Sequence, residues 1–154
     1  MTRNLHSWHG DWAGLRVAVL GVGASGFSAV DTLVELGADV RVFAKKVEAE
    51  YSEILDVLQV PVTLSDSEQN FEKLNWSPEL AIVSPGFPPH QPLVAQLANL
   101  GVKLWTDIDL AWHVRDKVKI AKWITITGTN GKTTTTELTA AMLQAAGFRV
   151  AACG

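Results

Sequence analysis

From Leu15 onward, short apolar and β-branched runs alternate with stretches whose apolar residues recur at helical spacing. That alternation is the signature of a parallel sheet covered by helices. Strands are predicted over residues 16–20, 40–43, 62–64, 80–83, 102–104, 123–127 and 149–152, with helices between them. The two clearest helices run over 25–36 and 132–146. The first carries Phe27, Val30, Leu33 and Val34 on one face, and Gly37 and Gly147 stand where a left-handed residue closes each helix. The fold class is therefore α/β throughout.

A charged stretch, Arg115-Asp116-Lys117-Val118-Lys119, interrupts the pattern and marks a boundary. Residues 1–118 read as one Rossmann-like sheet domain. Residues 119–154 supply only a strand, a loop, a helix and the start of another strand, the opening of a P-loop ATPase-type domain. Such a piece cannot bury its own apolar face. The expectation is that the chain is truncated and inactive by itself.

Within the second segment, Gly128-Thr129-Asn130-Gly131-Lys132-Thr133-Thr134 follows the run Trp123–Thr127 and opens a helix. Glycines let a backbone curl so that several N–H groups converge on one anion, and the helix start adds its positive end. Lys132 then reaches the outer phosphates of a nucleotide, and the Thr133 hydroxyl is placed to ligate Mg²⁺. The general phosphate-loop pattern wants a glycine five residues before Gly131, where this chain has Ile126.

The first segment has its own glycine loop. Gly21-Val22-Gly23-Ala24-Ser25-Gly26 is a G-x-G-x-x-G between the first strand and the first helix, the context a dinucleotide-type fingerprint requires. In an NAD enzyme a carboxylate closes the second strand and binds the ribose hydroxyls. Here Ala44, Lys45 and Lys46 follow that strand instead. Cations there suit an anionic group, either the 2′-phosphate of NADP or the diphosphate of a nucleotide sugar.

Composition narrows the remaining classes. With 154 residues, 47% of them apolar, the chain can hold one well-buried core. A net charge of −3, with scattered cations, gives no basic footprint for nucleic acid. The uncharged stretch from Val17 to Val30 is short and broken by glycine, so no membrane partner is expected. One cysteine, Cys153, and the lack of a signal-like N-terminus make the cytoplasm the expected compartment. His6, His9, His90 and His113 lack metal-ligand spacing, and Asp107 and Asp109 sit where a helix start favours carboxylates, so capping explains them.

The segment T-G-T-N-G-K-T-T, residues 127–134, resembles the nucleotide loop of the Mur ligases of peptidoglycan synthesis. The likeness extends along the chain. Ser84-Pro85-Gly86 resembles an S-P-G loop of that family, and Thr106-Asp107-Ile108-Asp109-Leu110 resembles its G-D-I-E-L segment. The first loop is similar to the G-x-G-x-[ST]-G of the D-glutamate-adding branch. Two departures stand out: Ala44-Lys45-Lys46 replaces an Asp-Thr-Arg-like cluster, and Ala24 replaces a common Leu.

The resemblance implies an ATP-dependent amide ligase joining D-glutamate to UDP-N-acetylmuramoyl-L-alanine through an acyl phosphate. It implies that Gly128 to Thr134 bind ATP, with Lys132 and Thr133 catalytic and Thr133 on Mg²⁺. It further implies that the UDP substrate lies against Gly23, Ala24, Ser25, Gly26 and Gly86; Lys45 and Lys46, which depart from the family's pattern, are expected beside it on the strength of their charge. D-glutamate is expected to meet only the full-length protein.

Overall fold

A computed structural model describes residues 3–65, 67–88 and 90–153. The chain divides into two compact units, one ending at Lys119 and the other beginning at Ile120.

The first unit is built from β1 (Arg16–Leu20), α1 (Ala24–Glu35), β2 (Asp39–Phe43), α2 (Ala49–Val57), β3 (Val62–Thr63), β4 (Leu80–Val83), α3 (Pro92–Asn99), β5 (Lys103–Trp105) and α4 (Asp107–Val114). Its five strands form one parallel sheet in the order β3-β2-β1-β4-β5. The five strands expected here are all present, with ends shifted by a residue or so.

Because both faces of a parallel sheet are covered, its central strands are apolar on both sides. Val17, Val19, Val40, Val42, Leu80 and Ile82 face a core shared with Val30 and Leu33 of α1, Leu55 of α2 and Leu110 of α4. Ala18, Leu20, Phe43 and Ala81 face the other, closed by Leu93, Val94 and Leu97 of α3 and by Phe71 and Trp76. The paired Ala18 and Ala81 are small, which leaves room on that face for the rings of Phe43, Phe71 and Trp76.

Three helices of this unit end in the same way. Gly37 N–H donates to Val34 O and Ala38 N–H to Leu33 O, at 2.9 and 3.0 Å. Gln59 and Val60 repeat the pair after α2, and Gly101 and Val102 after α3. This double bond satisfies the last helical carbonyls, and an apolar contact accompanies it. Gly37 and Gly101 take the left-handed conformation it needs, whereas at the same place Gln59 adopts φ 56°.

The N-terminal segment is tied to the sheet's lower edge. Trp12 is buried, its indole N–H donating to Ser7 O at 2.7 Å. Arg3 and Arg16 both pair with Glu79. Burial opposes ionisation of Glu79, yet the hydrogen bonds from Arg16 and the charges of Arg3 and Arg16 hold its carboxyl below the usual value. His113 stacks on Trp105 with ring centres 4.0 Å apart and Nδ1 2.9 Å from Leu5 O. Burial holds its pKa below the ordinary imidazole value, the Leu5 carbonyl opposes the shift, and His6, Lys117 and Lys103 reinforce it. Of the two aspartates expected to cap α4, Asp109 does so, in a reciprocal capping box with the N-cap residue Thr106, while Asp107 only lies in the first turn.

The second unit holds α5 (Lys132–Ala145), closed by Gly147 and Phe148 as the other helices are. The strands expected over 123–127 and 149–152 are not formed. A strand is stabilised by pairing, and no described residue supplies a ladder partner to either segment. Among the described residues of this unit only Ala140 is buried, while Leu138, Met142 and Phe148 are more than half exposed.

Gln59→Gly relieves a left-handed non-glycine residue without touching any side-chain contact of the core. It is expected to raise stability by about 0.5–1 kcal/mol, the left-handed strain exceeding the added chain entropy. Urea denaturation of the two proteins checks it.

Candidate functional site

Parallel register sets which loops meet. Leu20 is level with Phe43 on one side and with Val83 on the other. The loops following β1, β2 and β4 therefore leave the sheet at the same edge. Chain order reverses between β1 and β4, and in sheets of this kind ligands bind at that reversal, beyond the strands' carboxyl ends.

The three glycines of the first loop do different things there. Gly21 turns the chain out of β1 with φ 88°, and a side chain on it would meet Phe87 at 2.9 Å. Gly26 lets α1 close onto the loop: a Cβ there would stand 2.1 Å from the Gly21 carbonyl oxygen. Gly23 has neither constraint, with φ −105° and open space where a side chain would project. Among the described glycines only Gly23 and Gly86 lack both a left-handed backbone and a crowded Cβ position. Both lie on this edge.

Gly23 is the N-cap of α1 and offers no side-chain acceptor; the first helical bond runs from Phe27 N–H to Gly23 O at 2.9 Å. The N–H groups of Ala24, Ser25 and Gly26 precede that bond, and the first turn carries no acidic residue. Such a helix start presents donors and a partial positive charge. Lys45 and Lys46 are exposed on the neighbouring loop, without an ion pair among the described residues. Ala44, where a ribose-binding carboxylate stands in NAD enzymes, is buried. The edge is thus open, uncapped and cationic, suited to an anion. The concavity lined by Arg16, Phe71, Trp76 and Gln96 lies at the other end of β1.

Gly86 belongs to the loop after β4, whose Phe87 N–H returns to Ser84 O at 3.0 Å. Two contacts of that loop were not legible in the sequence: the Ser84 hydroxyl donates to Gly21 O at 3.1 Å, and Phe87 covers Gly21. The available signal was that Ser84 is the first residue beyond the strand expected over 80–83.

In the second unit Gly131 is the left-handed N-cap of α5, with φ 75°. Thr135 N–H makes the first helical bond, to Gly131 O, so the N–H groups of Lys132, Thr133 and Thr134 precede it. Lys132 Nζ donates to Gly128 O at 2.7 Å and lies 3.5 Å from Thr129 O. The ammonium is thereby held over the loop formed by Gly128, Thr129, Asn130 and Gly131, whose donor set suits phosphate. Thr133 and Thr134 are exposed at the helix start. No group of three or more His, Cys, Asp or Glu side chains among the described residues is arranged to hold a metal ion.

A parallel sheet of this order, with a glycine turn at its reversal point and an uncapped helix behind it, defines a Rossmann-like α/β domain. The chain belongs to the Mur ligase family: residues 15–106 match the Mur ligase MurD-like N-terminal domain, and residues 126–154 match the Mur ligase middle domain. It is 49% identical over 159 residues to a UDP-N-acetylmuramoylalanine--D-glutamate ligase of Leifsonia xyli, covering 97% of this chain and 31% of that protein. The relative from Tropheryma whipplei strain Twist, with the same name, is 44% identical over 150 residues, with the same coverage. The chain therefore spans about three-tenths of the length of these relatives.

Among solved structures, a UDP-N-acetylmuramate-alanine ligase from Thermotoga maritima superposes with TM-score 0.53 at 28% identity, over 84% of this chain and 29% of that one. A murein peptide ligase from Psychrobacter arcticus gives TM-score 0.60 at 21% identity, over 87% and 27%, a likeness of fold.

The unequal surroundings of the glycines have a measurable consequence. Gly26→Ala forces its Cβ against a backbone oxygen and is expected to destabilise the first unit by about 1–3 kcal/mol. Gly23→Ala meets nothing and should change stability by no more than about 0.5 kcal/mol. Denaturant titration of both variants separates them.

Proposed function

We propose that this chain is part of an ATP-dependent ligase of peptidoglycan synthesis that adds D-glutamate to UDP-N-acetylmuramoyl-L-alanine. In this reading residues 1–118 bind the UDP-bearing substrate and residues 119–154 open the ATP-binding domain. Family membership and the shared name of the similar relatives support the reaction. The observation that carries the site is the pair of unconstrained glycines, Gly23 and Gly86, on one edge of the sheet. A position that needs neither unusual backbone nor extra room inside the protein keeps its room for something outside it.

The diphosphate of the substrate is assigned to the start of α1, where Gly23, Ala24, Ser25 and Gly26 offer N–H donors and Gly86 allows close approach from the other side. Lys45 and Lys46 add positive charge. In the second unit the N–H groups from Gly128 to Thr134 hold the nucleotide's phosphates, Lys132 neutralises their outer charge, and the Thr133 hydroxyl offers an oxygen ligand to Mg²⁺. ATP with Mg²⁺, when bound, supplies the phosphoryl group that activates the substrate carboxylate. The compartment assigned is the cytoplasm; no described helix is long and apolar enough to cross a membrane.

Thermal melts with UDP, NADP and NAD test the first assignment. UDP at one hundred times its dissociation constant should stabilise the first unit by about 2.7 kcal/mol, visible as a shift of several degrees. Changing Lys45 and Lys46 together to Ala should shrink that shift and flatten its salt dependence. A shift with NADP and none with UDP would mean that the two lysines read a 2′-phosphate and that the substrate assignment is wrong.

The second assignment is tested in the full-length protein. There Lys132→Ala is expected to lower turnover by about 100-fold or more while UDP-substrate affinity stays within about two-fold, because the two loops serve different ligands. Equal losses of both would contradict the division of roles.

A further inference from the structure

We infer that Ser84 is a positioning residue for the anion-facing loop, acting through the Gly21 carbonyl without touching the ligand itself. The inference rests on the reading of the β1–α1 loop as a diphosphate site, and adds to it a residue outside that loop.

Three backbone bonds place Ser84 and Gly21 side by side just beyond the sheet. Gly21 N–H donates to Phe43 O at 2.9 Å, which extends the β1–β2 ladder by one step. Ser84 N–H donates to Leu20 O at 3.1 Å, which does the same for β1 and β4. The turn from Ser84 to Phe87 is closed by its own bond at 3.0 Å, so the Ser84 side chain projects from a fixed base. Its hydroxyl donates to Gly21 O at 3.1 Å.

That carbonyl sits in a crowded place. It is 2.1 Å from where a Cβ of Gly26 would be, and Ser84 Oγ is 2.9 Å from the same point. The Gly21 oxygen is thus wedged under the first turn of α1 with the Ser84 hydroxyl as its donor. A carbonyl is repelled by phosphate, and a loop binds anions only while its N–H groups, not its C=O groups, face the mouth. The hydroxyl gives the Gly21 carbonyl a partner on the β4 side, and Phe87 of the same loop packs with Ser84 Cβ against the place where a Gly21 side chain would project. The loop after β4 therefore fixes the curvature of the loop after β1.

Ser84→Ala and Ser84→Thr provide the test, with UDP as the probe and calorimetry well below the melting temperature. Ser84→Ala should weaken UDP binding about 5- to 10-fold and, in the absence of any nucleotide, speed hydrogen exchange at the Gly21 and Phe27 amides by a similar factor. Ser84→Thr, which keeps the hydroxyl, should restore both to within about two-fold of the parent. A serine that merely supports the fold would lower the melting temperature and leave affinity and local exchange unchanged, which would overturn the inference. So would equal losses in the Ala and Thr variants. If the parent protein itself does not bind UDP, the substrate assignment fails and the exchange measurement alone decides: unchanged exchange at Gly21 and Phe27 in Ser84→Ala refutes the clamp.

Discussion

Everything at the candidate site of the first unit depends on β1 being paired in parallel on both sides. With β2 on one flank and β4 on the other, the residues after Leu20, Phe43 and Val83 emerge at one level and at one edge. Antiparallel pairing on either flank would send one of those loops to the far end of the sheet. Parallel pairing in turn requires long crossovers, and these supply the helices that bury both faces. The core and the open, cationic edge are consequences of the same arrangement.

Much of this was legible in the sequence because it rests on local signals. The five strands of the first unit announce themselves by β-branched runs, and Gly37 and Gly147 stop their helices through the backbone conformation they alone adopt cheaply. The helix start at α4 was readable from Asp107 and Asp109, although the N-cap itself is Thr106. The fold class and the family followed from motifs that local chemistry makes specific.

What was not legible depends on partners distant in sequence. Ser84 and Gly21 are far apart in the chain, and only the register of β1 with β4 brings the hydroxyl to the carbonyl. The same limit works in reverse at residues 123–127 and 149–152. Their composition favours strand, but composition cannot supply the ladder a strand needs, and neither forms a strand. Likewise nothing local distinguishes Gly23 from Gly26; the difference is the presence of a backbone oxygen near one and open space near the other.

The shared helix endings make the two rims of the sheet mechanically unlike. Residues 36–38, 58–61 and 100–102 each close a helix with the same pair of bonds and lead straight into a strand. The opposite rim connects strand to helix through 21–23, 44–48 and the segment that begins at Ser84, which differ in length and sequence and, among the described residues, share no such closing pair of bonds. One rim works as a row of identical hinge pins, where a length change would slide a helix off its strand, while the other is a socket panel whose fittings can be exchanged individually. Grafts meant to retune recognition belong on the second rim, and disulfides or prolines meant to harden the scaffold belong on the first.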